Sequence, residues 1–245
     1  MSDKLYIAGT RAVLEALESN VSINKIFIIK QKQEYRDIYK HIFSEAKNQG
    51  IPIQYVPKEK LDHLYKGNHQ GIIAAASPIK YYELNDFLEN LKNDKPLILL
   101  LDGINDVRNF GAIARTALAA GVDGIIIPQG GNVQITDDAI KSSAGALLKI
   151  PVIRVIHLKD AIYQLKTYDF SIIAATEKAT KNIYEADFKK PTALILGNEE
   201  KGIQSSLLKL CDEIVKIPII GNIDSLNVSV SAGIIIYEIF RQRSI

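Results

Sequence analysis

The sequence predicts an α/β protein in which a small mixed α/β domain precedes a larger domain built on a parallel sheet. From residue 95 onwards, short and continuously apolar runs alternate with helix-length segments, which is typical of strands buried on both faces. Residues 1–77 instead carry shorter helical and strand patterns that alternate. We therefore expect domains at 1–77 and 95–245, joined by a linker at 78–94 that contains one helix-like segment.

The first domain is predicted from hydrophobic periodicity and from signals at the ends of elements. Thr10 is a residue type that caps helices, and helical spacing continues from it to Leu17. A longer helical pattern stops at Gly50, as expected for a glycine that follows a helix. The predicted helices are 10–17, 36–48 and 58–65, and the predicted strands are 25–30, 51–56 and 71–76.

The second domain starts with an apolar strand at 97–101, which stops at Asp102. Further strands are predicted at 124–127, 152–155, 170–174, 192–196 and 213–217. Ligands of parallel sheets bind at the carboxyl ends of the strands. The loops that follow these runs are therefore where functional residues are expected.

Composition and charge exclude several classes of protein. With 47% hydrophobic and 24% charged residues in 245, the chain is typical of a globular protein and not of a disordered one. Its single cysteine, Cys211, excludes a disulfide framework, and no metal site is expected. No apolar run approaches the roughly 18 residues of a membrane span, and the N-terminus lacks the apolar core of a signal peptide. We expect a cytoplasmic location.

The charge distribution is compatible with RNA contact but does not indicate it alone. Net charge is +2, so the chain as a whole is not strongly basic. Residues 1–77 carry 11 Lys and Arg against 8 Asp and Glu, whereas residues 78–245 carry 19 against 20. The small excess of positive charge therefore lies in the first domain.

The first candidate loop covers residues 102–111 and leads into a helix that ends at Gly121. Asn109 is a candidate cap for this helix, and Arg115 falls six residues later. Arg108, Asn109 and Arg115 can gather around one anionic group near the helix N-terminus, whose amides attract phosphate. The alternative is an ordinary connection with a solvated arginine. The GxGxxG fingerprint of dinucleotide sites is missing.

The second loop follows the strand at 192–196 and has the sequence Gly197-Asn-Glu-Glu-Lys-Gly202. Gly197 lets the backbone approach a ligand closely, and Gly202 closes the turn. Glu199 lies at the carboxyl end of the strand, where a carboxylate can accept hydrogen bonds or a proton. A solvated turn rich in charge is the alternative.

The third loop, residues 217–227, follows the last strand and contains glycine and asparagine. A helix is predicted to begin near Ser225 to Asn227, and its first turns, Ser229 to Gly233, hold small residues. Small residues permit close approach of a ligand or of another helix. A capped helix packed in a core is the alternative, although one capping residue would suffice for it.

Taken together, the three loops resemble the three signature motifs of the SpoU/TrmH family of RNA ribose 2′-O-methyltransferases, in the SPOUT superfamily. Residues 1–77 also resemble that family's L30e-like substrate-binding domain. The two-domain layout is most similar to the bacterial 23S rRNA (guanosine-2′-O-)-methyltransferases. The matching residues are Asn109 with Arg115, Gly197-Asn-Glu199 with Gly202, Ser225-Leu-Asn-Val-Ser229, Tyr6-Ile-Ala-Gly-Thr-Arg-Ala-Val and His69-Gln-Gly-Ile.

The resemblance implies a fold and a cofactor that periodicity cannot reveal. The C-terminal segment is expected to thread through a loop and form a trefoil knot, against the general rule that chains do not knot. The family also implies a homodimer that holds the methyl donor, S-adenosylmethionine, in the knot without a metal. By position, the residues expected to bind this cofactor are Gly197, Gly202, Ile217 and Leu226.

Methyl transfer to a ribose requires the 2′-oxygen in line with the methyl group and removal of its proton. Proposals for the family make the arginine that matches Arg115 the general base. Because an arginine is protonated at neutral pH, we expect Arg115 instead to orient ribose and phosphate and to stabilise negative charge on the oxygen. Asn109 and Asn227 are expected to hold Arg115 and the substrate in register. Ser225 is expected to support them, and Glu199 to relay the proton.

The first domain is expected to select the RNA, because proteins recognise RNA by shape and by unstacked bases. Candidate phosphate contacts are Arg11, Lys25, Lys30, Lys32, Arg36, Lys40 and, in the second domain, Arg108. A solvated basic face is the alternative for each. The resemblance thus implies an S-adenosylmethionine-dependent ribose 2′-O-methyltransferase that acts on a guanosine of 23S rRNA. The alternatives are a tRNA ribose 2′-O-methyltransferase of the same family and an RNA-binding protein without activity.

Overall fold

The computed structural model describes residues 6–19, 21–29, 37–129 and 134–244, and the chain divides into two compact units. Residues 1–80 with Ile135–Asp137 form the first unit, and residues 81–134 with 138–245 form the second. Asn24, only 6% exposed, donates from Nδ2 to the carbonyl oxygen of Ile135 at 2.8 Å. This buried hydrogen bond joins the short segment to β2 of the first unit.

The first unit is a mixed four-stranded sheet with hydrophobic clusters on both faces. Its elements are β1 (Tyr6–Ala8), α1 (Thr10–Glu18), β2 (Ile23–Ile29), α2 (Asp37–Asn48), β3 (Ile53–Val56), α3 (Lys58–Leu64) and β4 (Ile72–Ala76). The strand order is β1-β4-β2-β3, with β2 and β3 parallel and the other neighbours antiparallel. Alternation along β2 places Ile26 and Ile28 in the cluster with α1 and α2, and Ile29 in the cluster with α3.

The predicted cap of α1 at Thr10 is wrong. Gly9 holds the N-cap position with φ at +97°, and Thr10 is the first helical residue. The side-chain oxygen of Gln70 accepts hydrogen bonds from Thr10 N at 3.1 Å and from Thr10 Oγ1 at 3.0 Å. The side chain of Gln70, 60 positions away, thus accepts a hydrogen bond at the start of the helix in place of a local capping residue. Spacing along the sequence cannot reveal such a contact.

The second unit contains a seven-stranded sheet in which every described strand pair is parallel. Its strands are β5 (Leu97–Asp102), β6 (Gly124–Pro128), β7 (Val152–Val155), β8 (Ser171–Ala175), β9 (Lys181–Asn182), β10 (Thr192–Gly197) and β11 (Glu213–Lys216). Their order across the sheet is β7-β6-β5-β10-β8-β11-β9. The predicted α/β class with a parallel sheet is confirmed. Strand β9 is not predicted by the sequence, because a strand of two residues has no periodicity.

Helices pack around this sheet and bury its apolar strands. They are α4 (Leu84–Glu89), α5 (Val107–Ala119), α6 (Asp137–Ser142), α7 (Leu158–Thr167), α8 (Ser205–Leu208) and α9 (Val228–Ser244). The segment 78–94 contains α4, whose Leu84, Phe87 and Leu88 lie in the core cluster of the second unit. Within the described residues, no helix has the length and apolar character that crossing a membrane requires.

Helix α5 is capped by Asp106, so the predicted cap at Asn109 is wrong. Oδ1 of Asp106 accepts hydrogen bonds from Arg108 N at 2.6 Å and from Asn109 N at 3.2 Å. Both residue types cap helices, so the sequence pattern does not choose between them. Because Asp106 closes the first turn, the side chain of Asn109 can make a tertiary contact. The helix ends as predicted, with Gly121 at φ +75° directly after the C-cap.

Candidate active site

Three loops of the second unit meet at the carboxyl ends of its central strands. Asn109 lies in the first turn of α5, Glu199 follows β10, and Asn227 precedes α9. Nδ2 of Asn109 donates to Oε1 of Glu199 at 3.0 Å, and Nδ2 of Asn227 donates to the same oxygen at 2.6 Å. Asn227 Nδ2 also lies 3.1 Å from Asn109 Oδ1. The structure therefore brings together one predicted residue from each of the three loops.

The other end of the Asn227 side chain organises the start of α9. Its Oδ1 accepts hydrogen bonds from Ser229 N at 3.0 Å and Ser229 Oγ at 2.6 Å, and its carbonyl oxygen accepts one from Ser231 N at 2.9 Å. These are the contacts of an N-cap residue. Asn227 is thus oriented by the helix it caps, and its amide group points to Glu199 as a consequence.

Glu199 lies at the tip of a short hairpin, residues 197–203, which leaves the end of β10. Asn198 and Gly202 exchange backbone hydrogen bonds of 3.2 and 2.8 Å across it. A Cβ on Gly197 would collide with the backbone of Gly202 and Ile203, so the hairpin closes this tightly only with glycine there. Gly202 has φ at +67°, which also favours glycine.

A pocket lies beside this cluster, at the carboxyl ends of β8 and β10 and along the loop after β11. The predicted cofactor residues Gly197, Gly202, Ile217 and Leu226 all line it. Glu199 and Ser225 line it too. Its complete lining is residues 175–178, 196–203, 217, 219, 224–226, 228, 231 and 235.

Residues 175–178 also line this pocket but are not among the residues predicted from the sequence. Ala175 is the last residue of β8, which pairs with β10 in the sheet, and residues 176–178 follow it. The strand itself is predicted by its apolar run, and the rule that ligands bind at carboxyl ends would have pointed to the loop after it. Thr176 and Glu177 carry no motif of their own, so the loop is not conspicuous in the sequence.

The charge of the pocket lining is negative. Four carboxylates line it, those of Glu177, Glu199, Glu200 and Asp224, against the two ammonium groups of Lys178 and Lys201. The apolar part comes from Ala175, Leu196, Ile203, Ile217, Ile219, Leu226, Val228 and Ile235. The pocket therefore suits a ligand that has an apolar portion and a positively charged portion.

Arg115 is not joined to the cluster of Asn109, Glu199 and Asn227. It is exposed on α5, as is Arg108 one residue before Asn109. Residues seven apart lie on the same side of a helix, so the two arginines share a face, whereas Asn109 is rotated by about 120° from Arg115. The amide of Asn109 contacts Glu199, and the gathering of Arg108, Asn109 and Arg115 around one anion stays a prediction.

The predicted RNA contacts are only partly within the described residues. Arg11 is exposed in the first turn of α1. Lys25 donates to Gln54 Oε1 at 3.4 Å, and its ammonium nitrogen lies 5.9 Å from the centre of the Phe27 ring. Lys40 pairs with Asp37 at 3.1 Å on the surface of α2. Lys30, Lys32 and Arg36 lie outside the described residues.

Metal chemistry has no visible support in the described ranges. No group of three or more His, Cys, Asp or Glu side chains within them is placed to hold a metal ion.

A parallel sheet whose carboxyl edge carries a pocket and a carboxylate fixed by amide donors defines the general class, an α/β enzyme with a ligand site.

Family models match both parts of the chain. The model described as the SpoU rRNA Methylase family matches residues 96–237, and that described as RNA 2′-O ribose methyltransferase substrate binding matches residues 6–82. A TrmH family tRNA/rRNA methyltransferase, YacO of Bacillus subtilis (strain 168), is 36% identical over 241 residues, 98% of this chain and 96% of that one. A TrmH family tRNA/rRNA methyltransferase of Staphylococcus aureus (strain COL) is 41% identical over 244 residues, 97% of this chain and 96% of that one.

Solved structures agree with this result. An RNA 2′-O ribose methyltransferase has 25% identity and a TM-score of 0.58, covering 98% of this chain and 89% of that one. The SpoU methyltransferase AviRb from Streptomyces viridochromogenes, in complex with the cofactor AdoMet, has 22% identity and a TM-score of 0.62, with 98% and 90% covered; it supports the fold alone. The chain belongs to the SpoU/TrmH family of RNA methyltransferases. The predicted family and enzyme class are confirmed.

Proposed function

We propose that this protein transfers the methyl group of S-adenosylmethionine to the ribose 2′-oxygen of a guanosine in 23S rRNA. The observation that carries the proposal is the hydrogen-bonded cluster of Asn109, Glu199 and Asn227 at the edge of the pocket. It combines a site for the donor with an oriented carboxylate beside it. Family membership gives the reaction class, RNA methylation, and the pocket chemistry favours this donor.

The pocket residues fit S-adenosylmethionine. Leu196, Ile217 and Ile235 offer apolar surface for the adenine ring. The excess of carboxylates in the lining complements the sulfonium and ammonium charges of the donor. Gly202, where an added Cβ would meet nothing within 4 Å, leaves the hairpin backbone open to close approach.

When bound, S-adenosylmethionine supplies an activated methyl group on a sulfonium centre. The chain must then hold the ribose hydroxyl in line and accept its proton. Oε1 of Glu199 accepts from the amides of Asn109 and Asn227, and Val228 N lies 3.4 Å from it. Among the described residues no hydrogen bond to Oε2 is present, so we assign that oxygen the proton of the 2′-hydroxyl. Ser225, in the lining, supports the substrate at this position.

In this proposal Arg115 binds the RNA, whereas Glu199 accepts the proton. Arg115 lies on the exposed face of α5 together with Arg108. A guanidinium fork binds phosphate through two parallel hydrogen bonds. We assign Arg108 and Arg115 to the phosphates that flank the target nucleotide, where they orient the ribose and stabilise negative charge on its oxygen.

We further propose a homodimer built on the outer face of α9. Val230 is 51% exposed, and Tyr237 and Phe240 are each 49% exposed, along one side of this helix. The two rings contact each other with centroids 6.1 Å apart. Large apolar side chains that share one exposed helix face favour an interface. Light scattering on wild type and Tyr237→Glu tests this: we expect a dimer and a folded monomer, respectively, whereas a monomeric wild type would contradict the homodimer.

The proposal includes the trefoil knot that the resemblance implies. Helix α9, the last element, packs on α5, and Asn227 just before it reaches Asn109. A chain that returns in this way to the middle of the sheet is compatible with a knot. A cytoplasmic location, where rRNA is made in bacteria, also belongs to the proposal.

The choice of 23S rRNA rests on the substrate-binding unit and on the rRNA named by the family model. Arg11, Lys25 and, outside the described residues, Lys30, Lys32 and Arg36 are proposed to contact the RNA backbone. The second candidate is a tRNA ribose, because the relatives are named tRNA/rRNA methyltransferases. The two candidates share the reaction and differ only in the RNA.

One experiment tests both. Purified protein is incubated with methyl-labelled S-adenosylmethionine and RNA from cells that lack the gene, as naked RNA and as ribosomal precursor particles. We expect label in large-subunit rRNA, in alkali-resistant dinucleotides, because a 2′-O-methyl group blocks cleavage at that ribose. Label in tRNA instead of rRNA would make tRNA the substrate. RNA binding without any label would contradict the proposed methyltransferase activity.

A further inference from the structure

Asp102 and Gln204 make a two-point contact behind the hairpin that carries Glu199. Oδ2 of Asp102 accepts a hydrogen bond from Gln204 N at 2.8 Å, and Oδ1 accepts one from Gln204 Nε2 at 2.7 Å. Asp102 is the last residue of β5 and lies opposite Gly197 in the sheet register. The contact therefore joins the strand next to β10 with the residue that follows the hairpin.

The hairpin is attached to the same strand end at its other side. Nδ2 of Asn198 donates to the carbonyl oxygen of Gly103 at 2.8 Å. Oδ1 of Asn198 accepts from the backbone amides of Glu200 at 2.8 Å and Lys201 at 3.1 Å, which shapes the tip. Residues 198 and 204 thus hold both ends of the hairpin on the segment formed by Asp102 and Gly103.

Burial makes the carboxyl group of Asp102 unusual. It is only 4% exposed and follows the fully buried Leu100 and Leu101, yet within the described residues it has no cation as a partner. Burial of such a group is unfavourable unless hydrogen bonds compensate, and an apolar side chain would stabilise a core position better. A carboxyl group at this buried position is explained if its role is to accept the two hydrogen bonds from Gln204.

We propose that Asp102 and Gln204 are positioning residues: their contact, the 102–204 latch, fixes the hairpin so that Glu199 and the backbone of residues 197–203 face the methyl donor. The inference rests on the proposed function, because it assigns the hairpin to the donor site. Neither residue touches the donor or the ribose in this proposal. The latch acts through hydrogen bonds and not through charge.

Four variants separate the hydrogen bonds from the charge. Asp102→Ala removes both bonds. Asp102→Asn keeps both, because the Gln204 amide can rotate so that its oxygen accepts from the new amide group. Gln204→Glu brings two carboxylates together, and the double variant Asp102→Asn with Gln204→Glu restores a donor facing an acceptor. Ser205→Glu is the matched control, since it adds the same charge one residue further on at an exposed position.

The first measurement is the Kd for S-adenosylmethionine by calorimetry, taken well below the Tm of each variant. We expect Kd to rise at least about tenfold in Asp102→Ala and Gln204→Glu, equivalent to about 1.4 kcal/mol. We expect it to stay within about threefold of wild type in Asp102→Asn, the double variant and Ser205→Glu. If Gln204→Glu binds as wild type does, or if the double variant stays as weak as Gln204→Glu, the latch is refuted. A purely structural role would lower Tm and leave the Kd of the folded protein unchanged.

The second measurement needs no ligand. The Gly202 amide donates to the Asn198 carbonyl across the hairpin, so its hydrogen exchange reports whether the hairpin is fixed. We expect faster exchange in Gln204→Glu and a return towards wild type in the double variant; unchanged exchange would overturn the proposal. If wild type itself fails to bind S-adenosylmethionine, the proposed function falls, while this exchange pattern still decides whether the latch holds the hairpin.

Discussion

Asn227 donates a hydrogen bond from Nδ2 to Oε1 of Glu199 at 2.6 Å, across 28 positions of sequence and between two different loops. Its other amide atom caps α9, so helix formation and carboxylate orientation depend on one side chain. Asn109 adds a second donor to the same oxygen from a helix 90 positions away. Two neutral amides thus set the direction of the carboxylate without adding a charge to the site.

Glu199→Gln is expected to lose most of the activity. The glutamine oxygen can still accept from Asn109 and Asn227, so the fold is retained, but the group can no longer take a proton. Loss of a general base lowers rates by roughly 10²–10⁴-fold. Single-turnover methylation measures the change. Glu89→Gln is the matched control: it removes the same charge at an exposed position of α4 outside the pocket lining and should retain the wild-type rate.

Asn227→Asp is expected to lower kcat/KM by at least about tenfold, since it places two carboxylates in contact at the site. Aspartate caps helices as well as asparagine does, so α9 itself should not be weakened. Asn222→Asp adds the same charge at an exposed position of the same loop and should have little effect. Steady-state kinetics with unmodified RNA, beside Tm values, make the comparison. Equal activity of the two variants would contradict the role of Asn227.

Gly197→Ala is expected to destabilise the protein and weaken donor binding. Its Cβ would collide with the backbone of Gly202 and Ile203, which cannot move aside as a flexible side chain can. Overpacking of this kind lowers the free energy of unfolding by about 1–3 kcal/mol. Gly221→Ala is the control, because nothing lies within 4 Å of the added atom. Urea unfolding measures the stability of both variants, and calorimetry measures their affinity for the donor. A Gly197→Ala protein that matches the control in both properties would refute the predicted collision.

Cys211 gives a prediction about pH. Burial and the nearby charge of Asp212 raise the pKa of this thiol from 9.0 to about 11, against a smaller opposing effect of Lys166. Only the thiolate reacts with iodoacetamide, so the native rate should rise with a midpoint near pH 11 and that of urea-unfolded protein near pH 9.

The same shift affects stability. Between these pH values the folded state holds a proton that the unfolded state has lost. The contribution of Cys211 is therefore complete below about pH 9 and disappears as the pH rises to about 11. Cys211→Ala should show a weaker loss of stability over this interval. Equal curves for the two proteins would contradict the shift.

Arg243 is expected to anchor the C-terminal end of α9. Its guanidinium donates to the carbonyl oxygens of Phe188 at 2.9 Å, Lys95 at 2.6 Å and Lys190 at 2.8 Å. Arg243→Ala leaves these acceptors without their donor, and we expect the free energy of unfolding to fall by about 2–3 kcal/mol. Lys189→Ala, an exposed neighbour of the acceptors, should change it by less than about 0.5 kcal/mol. Chemical denaturation of both variants gives the comparison.

The sequence predicted most of the second unit because its strands have strong local signals. The apolar run at 97–101 and the glycine at 121 mark their elements without any partner. The predicted caps at Thr10 and Asn109 are wrong for the opposite reason. Gln70 supplies the acceptor at one helix and Asp106 at the other, and the first of these is a contact between residues distant in sequence.

By itself the sequence determined the fold class, which follows from hydrophobic periodicity, and the family, through the resemblance of its three loop motifs. Only the tertiary structure decided which motif residues meet. It joins Asn109 and Asn227 to Glu199 and leaves Arg115 on an outer helix face. The reason is geometric: spacing along a chain sets which face of a helix a residue occupies, but the packing of α5, α9 and the hairpin sets what that face meets.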